Sequence, residues 1–142
     1  MTEIFTKQNV SKHEYDMHLY IYNLNILNVP KPISYDANNK VFQIEKINGM
    51  SISDYYGEKS SDIDSNIFKS IREIIKVLYD VGIIYPDITG YNFIMEYDNL
   101  NNITNKIWII DFEHAKFYDP TIYDPDYEFV NEFINGLDSI QI

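Results

Sequence analysis

Three oxygen-bearing side chains stand where short apolar runs begin or end. Asp87 lies in Pro86-Asp87-Ile88-Thr89-Gly90, Asn92 opens Phe93-Ile94-Met95, and Asp111 closes Ile107-Trp108-Ile109-Ile110. The spacing of Asp87 and Asn92 says little by itself, because Asp126 and Asn131 repeat it inside a segment of helical pattern. Context separates the two pairs. A hairpin made of the two apolar runs brings its outer ends together and places Asn92 beside Asp111. Neighbouring oxygen donors of this kind suit Mg2+, which binds few carboxylates and keeps waters and substrate phosphates. Asp87, across the turn, would then accept a proton from, or orient, a hydroxyl attacking a phosphoryl group. Taken alone, Asp87 after Pro86 also suits an ordinary turn, and Asn92 a loop exit. Asp111 is different, since a carboxylate at the edge of an apolar run needs a partner or a metal.

The elements that must position these residues follow from pattern. Ile4-Phe5-Thr6-Lys7 reads as a short strand. Ser11 caps a helix running to about Asn28, with Glu14 at its third position as in a capping box. Its expected apolar stripe is Tyr15, Leu19, Tyr22 and Ile26, and Pro30 and Pro32 start an extended stretch. Glu14 and His18, at i,i+4, read as a surface pair. Strands are expected over 33–35 and 41–47 around a turn at 36–39, with Asn48-Gly49 as the break.

Asp64 or Ser65 caps the strongest helix, with the stripe Ile67, Ile71, Ile74, Ile75 and Leu78 and a stop at Gly82. Two strands then flank an Asn-rich loop over 98–105, and a last helix starts at Asp124 with Val130, Phe133, Ile134 and Leu137 as its stripe. The order of elements predicts an α+β fold with antiparallel pairing rather than a βαβ series.

Composition excludes several classes. The chain has 142 residues and a formal net charge of -11, which suits one compact domain and disfavours nucleic-acid and anionic-membrane binding. Arg72 is the only arginine, so bidentate guanidinium recognition of phosphates is poorly provided for. An acidic protein handling a polyphosphate would use a divalent cation as intermediary. Cysteine is absent, which removes disulfides, thiolate zinc sites and thiol nucleophiles. His13, His18 and His114 show no metal-ligand spacing. The start lacks an apolar export segment and no run is long enough to span a membrane, so an intracellular, cytoplasmic protein is expected. The Ile, Asn, Tyr and Asp bias is what an AT-rich genome produces.

Tyr85-Pro86-Asp87-Ile88-Thr89-Gly90-Tyr91-Asn92-Phe93 resembles the catalytic loop of the protein-kinase-like superfamily. Ile109-Ile110-Asp111-Phe112-Glu113-His114-Ala115 resembles its magnesium-binding segment. Glu113 and Ala115 bring the second motif closer to the choline and aminoglycoside kinase branch. The whole is also similar to the very short kinase-like proteins of large DNA viruses, which implies a host-cytoplasmic or virion location. The resemblance implies that Asp87 is the catalytic base and that Asn92 and Asp111 hold Mg2+. It implies that Glu14 positions a phosphate-binding lysine, either Lys7 or, in its place, Lys12. Glu45, Lys46, Ile47 and Asn48 would form the hinge that reads the adenine of ATP, and Gly49-Met50-Ser51-Ile52-Ser53-Asp54 is similar to the segment after it.

The departures from the family pattern are specific. No glycine precedes Gly49, so the Gly-rich phosphate loop is missing. Tyr85 and Pro86 replace the family's His and Arg, and Glu113 stands in place of Gly. Few residues follow Asp111, which implies a truncated helical C-terminal lobe. The expectation is therefore a minimal kinase-like fold, with a reduced N-terminal sheet plus one helix over 1–48 and the truncated lobe over 49–142. The implied activity is ATP- and Mg2+-dependent phosphoryl transfer to a hydroxyl, on protein Ser or Thr. The alternatives are a pseudokinase acting as a nucleotide-binding or scaffold module, and a small-molecule kinase. A truncated fold would leave aromatic surface for a protein partner or a second copy to cover.

Overall fold

The computed structural model describes residues 3–57 and 60–119, so the terminal helix expected from Asp124 lies outside the described residues. The fold is α+β, with small antiparallel sheets and few helices.

Strand β1 (Ile4–Lys7) is followed at once by helix α1 (Lys12–Leu24). Ser11 starts the helix by accepting a hydrogen bond from the Glu14 backbone N–H at 3.1 Å. The helix ends earlier than expected, because Asn25 takes a left-handed conformation (φ 54°) and caps it through the Tyr22 carbonyl. The chain then turns back to cover a sheet edge further along, where Asn28 accepts from the Ile109 N–H and donates to the Ile107 carbonyl.

The expected stripe of α1 is displaced. Glu14, Met17, His18 and Ile21 form the buried face, Tyr15, Leu19 and Tyr22 are half-buried, and Ile26 is exposed. The reason is packing. Met17 and Ile21 enter the core, while Tyr15 lies on the flank, stacked on Tyr35 at 4.5 Å between ring centres. Glu14 and His18 are therefore not the surface pair that their spacing alone suggests.

Strands β2 (Pro32–Asp36) and β3 (Val41–Glu45) complete a sheet of order β1-β3-β2. Its turn is closed by the Asp36 carboxylate, which accepts from the backbone of Asn38 and Asn39 and from the Asn39 side chain. Gly49 does not end a strand but opens one, β4 (Gly49–Ser51). A Cβ there would come within 2.1 Å of the Met95 carbonyl oxygen, so only glycine lets the two backbones approach. Ser51 then caps the short helix α2 (Ile52–Tyr56), accepting from the Asp54 N–H.

Helix α3 (Ser65–Asp80) is capped by Asp64 and buries Ile67, Phe68, Ile71, Ile75, Leu78 and Tyr79, with Ile74 at the margin. After it come β5 (Ile83–Ile84), β6 (Phe93–Tyr97), β7 (Ile103–Ile109) and β8 (Lys116–Phe117). The hairpin loop is tighter than its Asn content suggests, because the Asp98 carboxylate accepts from the N–H groups of Leu100 and Asn102. The second sheet has the order β4-β6-β7, and β5 pairs with β8. One apolar core joins α1, α3 and the second sheet. Within it, Tyr85, Phe93 and Phe112 are fully buried and Tyr85 contacts both rings edge-on. Fully burying each ring contributes about 1.5–3 kcal/mol, and the packed rings fix where the following residues emerge. No helix among the described residues is long and apolar enough to cross a membrane.

Candidate functional site

The hairpin β6–β7 sets the geometry. Phe93 pairs with Ile109, and the Ile110 N–H donates to the Asn92 carbonyl at 3.0 Å, so the backbones of Asn92 and Asp111 leave the sheet as neighbours. Asp111 then turns sharply, with φ 65°. That left-handed conformation is unfavourable for most side chains and tolerated by Asp. Beneath it, the buried Tyr85 hydroxyl donates to the Ile110 carbonyl at 2.7 Å and is hydrogen-bonded by the Asn92 side chain. Burial pushes the Tyr85 phenol well up, so it stays a neutral donor.

Strand β1 and helix α1 bring a cation to the same place. Lys7 Nζ lies 2.6 Å from Glu14 Oε2 and 3.5 Å from Asp111 Oδ1. The Glu14 side chain is only 5% exposed, so its carboxylate depends on this partner. Burial works against the Lys7 charge, but Glu14 and Asp111 outweigh it and raise its pKa. Burial raises the Glu14 carboxyl while Lys7 opposes the rise, and the short contact favours the charged pair. Lys12, the alternative lysine, instead pairs with Asp16 on the exposed side of α1.

These groups close one end of a cavity of about 330 Å3. Its walls are apolar, with Phe5, Phe42, Ile44, Ile94 and Ile110 among them. Glu45, Lys46 and Ile47 line it as well. Of their backbone donors, Glu45 N–H is taken by the Lys31 carbonyl and Lys46 N–H by the Glu3 carbonyl. Among the described residues nothing accepts from Ile47 N–H. His18 lines the cavity too. It donates from Nε2 to the Pro30 carbonyl and packs edge-on against Phe42 and Phe112. Burial pushes its pKa down to about 4, so it is neutral at physiological pH.

Oxygen atoms of Glu14, Asp111 and Glu113 all lie within 4.8 Å of one another. A set of hard carboxylate oxygens fits Mg2+, although Glu14 is already engaged by Lys7. Asn92 immediately precedes β6 and lies beside Asp111. Its side chain is nearly buried and donates from Nδ2 to the Asp87 carbonyl at 2.9 Å, so it also braces the loop. Asp87 faces an open groove on the other side, where its Oδ2 accepts from His114 Nδ1 at 2.7 Å.

Two participants escape the sequence reading. His114 has no metal-ligand spacing, and nothing local shows that it folds back onto Asp87. His18 is one helical turn from Glu14, so a buried Glu14 would have implied a buried His18.

No family model matches the chain. Among curated proteins it is similar to the EKC/KEOPS complex subunit BUD32 of Enterocytozoon bieneusi (strain H348), with 29% identity over 100 residues. The match covers 63% of this chain and 45% of that protein, so the chain spans under half the length of its curated relative. With the fold and the arrangement of Lys7, Glu14, Asp87, Asn92 and Asp111, this weak likeness supports a place in the protein-kinase-like superfamily.

Proposed function

We propose that the chain binds ATP with Mg2+ and transfers the γ-phosphoryl group to a hydroxyl, on Ser or Thr of a protein. The observation that carries this reading is Lys7, bridging Glu14 and Asp111 at the polar end of an apolar-walled cavity. Phe5, Phe42 and Ile94 line the cavity and would receive a flat apolar base, with Ile47 N–H as its donor and the phosphates toward Lys7. Sheet β1-β3-β2 with α1 forms the reduced N-terminal part over 1–48, and the remainder over 49–142 supplies the loop and metal segments.

Lys7, held by Glu14, neutralises phosphate charge, and Asp111 with Asn92 or Glu113 would hold the metal. Bound Mg2+ supplies further charge neutralisation to the phosphate oxygens. Asp87 orients the acceptor hydroxyl and takes its proton as the new O–P bond forms. The bond from the γ-phosphorus to its bridging oxygen breaks, and ADP leaves with that electron pair. The rate then rests on positioning and electrostatics rather than on a covalent intermediate.

A second reading is favoured by one observation. The curated relative is itself named as a subunit of a complex, which fits a nucleotide-binding scaffold with little turnover. Glu113, within the acidic cluster, supports kinship with the choline and aminoglycoside branch and a small-molecule acceptor.

Thermal unfolding with ATP, with and without Mg2+, separates the first two readings from a chain with no ATP site. Stabilisation is expected to grow with Mg2+, and none at saturating nucleotide sinks the ATP site. Transfer from γ-labelled ATP then separates kinase from scaffold.

A further inference from the structure

His114 is a residue that neither the motif resemblance nor the Mg2+ chemistry uses. It sits on a turn built to present it. Asp111 Oδ1 lies within 3.4 Å of the Glu113 N–H, and the Ala115 N–H donates to the Phe112 carbonyl. From the first turn of α1, His13 Nε2 donates to the Ala115 carbonyl at 2.6 Å. The turn is thus tied to the fully buried Phe112 on one side and to α1 on the other. Its imidazole returns to Asp87 and donates from Nδ1 to Oδ2 at 2.7 Å.

Asp87 is otherwise held only through its backbone. Its carbonyl accepts from the Thr89 N–H and from the Asn92 side chain, which fixes where the residue sits but not how its carboxylate is rotated. Among the described residues, His114 is the one side chain that bonds the carboxylate. Both residues line the same open groove of about 1080 Å3, where an acceptor would enter.

We propose that His114 is a positioning residue for Asp87: its hydrogen bond fixes one carboxylate oxygen and leaves the other to orient the acceptor hydroxyl. This rests on the phosphoryl-transfer reading. The geometry also explains why an exposed side chain would matter. His114 is 60% exposed, so its loss removes little packing, whereas an unfixed Asp87 carboxylate samples rotamers that misalign the hydroxyl. Loss of such alignment reduces rate rather than affinity.

The test uses the full chain, γ-labelled ATP and dephosphorylated casein as the hydroxyl probe, with kcat and KM measured for both. His114→Ala should lower kcat by roughly 10- to 100-fold while KM for ATP stays unchanged. His114→Asn, which keeps a donor at the position of Nδ1, should recover most of the loss, and both variants should unfold at the wild-type temperature. An active wild type with an equally active His114→Ala overturns this inference and leaves phosphoryl transfer standing. Raised turnover in His114→Ala also overturns it, since His114 would then be covering Asp87. Parallel loss of activity and thermal stability in both variants would show a structural role only. A wild type that binds ATP but transfers nothing to casein or to itself ends the phosphoryl-transfer reading, and the role of His114 with it.

Discussion

Lys7 and Asp87 each sit beside an oppositely charged or donating partner, yet the two sides of the site are built differently. On the cavity side, Lys7 meets a carboxylate that is 5% exposed, and the walls around it are Phe5, Phe42 and Ile94. On the groove side, Asp87 meets an imidazole that is 60% exposed, in a channel open to solvent. Electrostatic interactions strengthen where water is excluded and fade where it is not. The cavity side is therefore organised before any ligand arrives, and its pieces also stabilise the fold. The groove side is set by a few hydrogen bonds that an acceptor can displace or use. This division fits a site that holds one ligand firmly and admits a second more loosely.

The largest expected effect tests whether the sides are separable. Asp87→Asn should lower transfer by roughly 10^2- to 10^4-fold and leave the ATP-induced thermal shift intact. Lys7→Met should abolish both. Loss of the thermal shift in Asp87→Asn would mean that the groove side also holds nucleotide, and activity that survives both substitutions would remove these residues from the chemistry.

Next in size is a pH effect carried by the cavity side alone. An unfolded chain protonates His18 near pH 6.5, and the folded chain does so only near pH 4. The stability tied to neutral His18 is therefore full above pH 6.5 and falls away as the pH drops toward 4, by about 3 kcal/mol. In urea unfolding, His18→Leu should show that much less acid sensitivity than wild type. An identical pH profile would mean that the imidazole is not sealed from water.

Smaller is the intrinsic worth of the Lys7–Glu14 pair. Lys7→Met leaves a buried carboxylate without its partner and should cost about 1–3 kcal/mol at neutral pH. Adding Glu14→Leu should restore most of it, because the uncompensated charge is then gone. A double variant as unstable as the single one would point to a packing role for the lysine stem.

The smallest effect belongs to the groove. Hydrogen bonding and the charge of Asp87 raise the His114 pKa above its ordinary 6.5. The charged form of that contact is present below pH 6.5 and is lost as pH rises through the raised value. Exposure leaves it little energy, so Asp87→Asn should move the His114 titration back down in an NMR titration without shifting the unfolding midpoint. An unmoved titration would break the pairing.

Much of the scaffold is legible in the chain, because its signals are local. Ser11 and Asp64 cap helices by hydrogen bonds to N–H groups two or three residues away. The α3 stripe repeats every three or four residues and selects one face. Helix α1 resists the same logic. Tyr, His, Met, Leu and Ile occur all round it, so periodicity offers several faces, and contact with Phe42 and Phe112 chooses the one that buries His18. Gly49 misleads for a related reason, since glycine breaks a strand in isolation but permits the close β4–β6 approach here.

The sequence by itself determined the α+β class, the starts of α1 and α3, the acidic balance, and the motifs that carry Asp87, Asn92 and Asp111. Each depends on neighbours a few positions apart, where hydrogen-bond and packing preferences are already fixed by residue type. The tertiary structure alone decided that Lys7 bridges Glu14 and Asp111, that Asn92 braces the Asp87 loop, and that His114 returns to the Asp87 carboxylate. Asp87 and His114 are 27 positions apart, and no local preference encodes their meeting. It follows from the turn at Phe112, from the left-handed Asp111 and from the core beneath them.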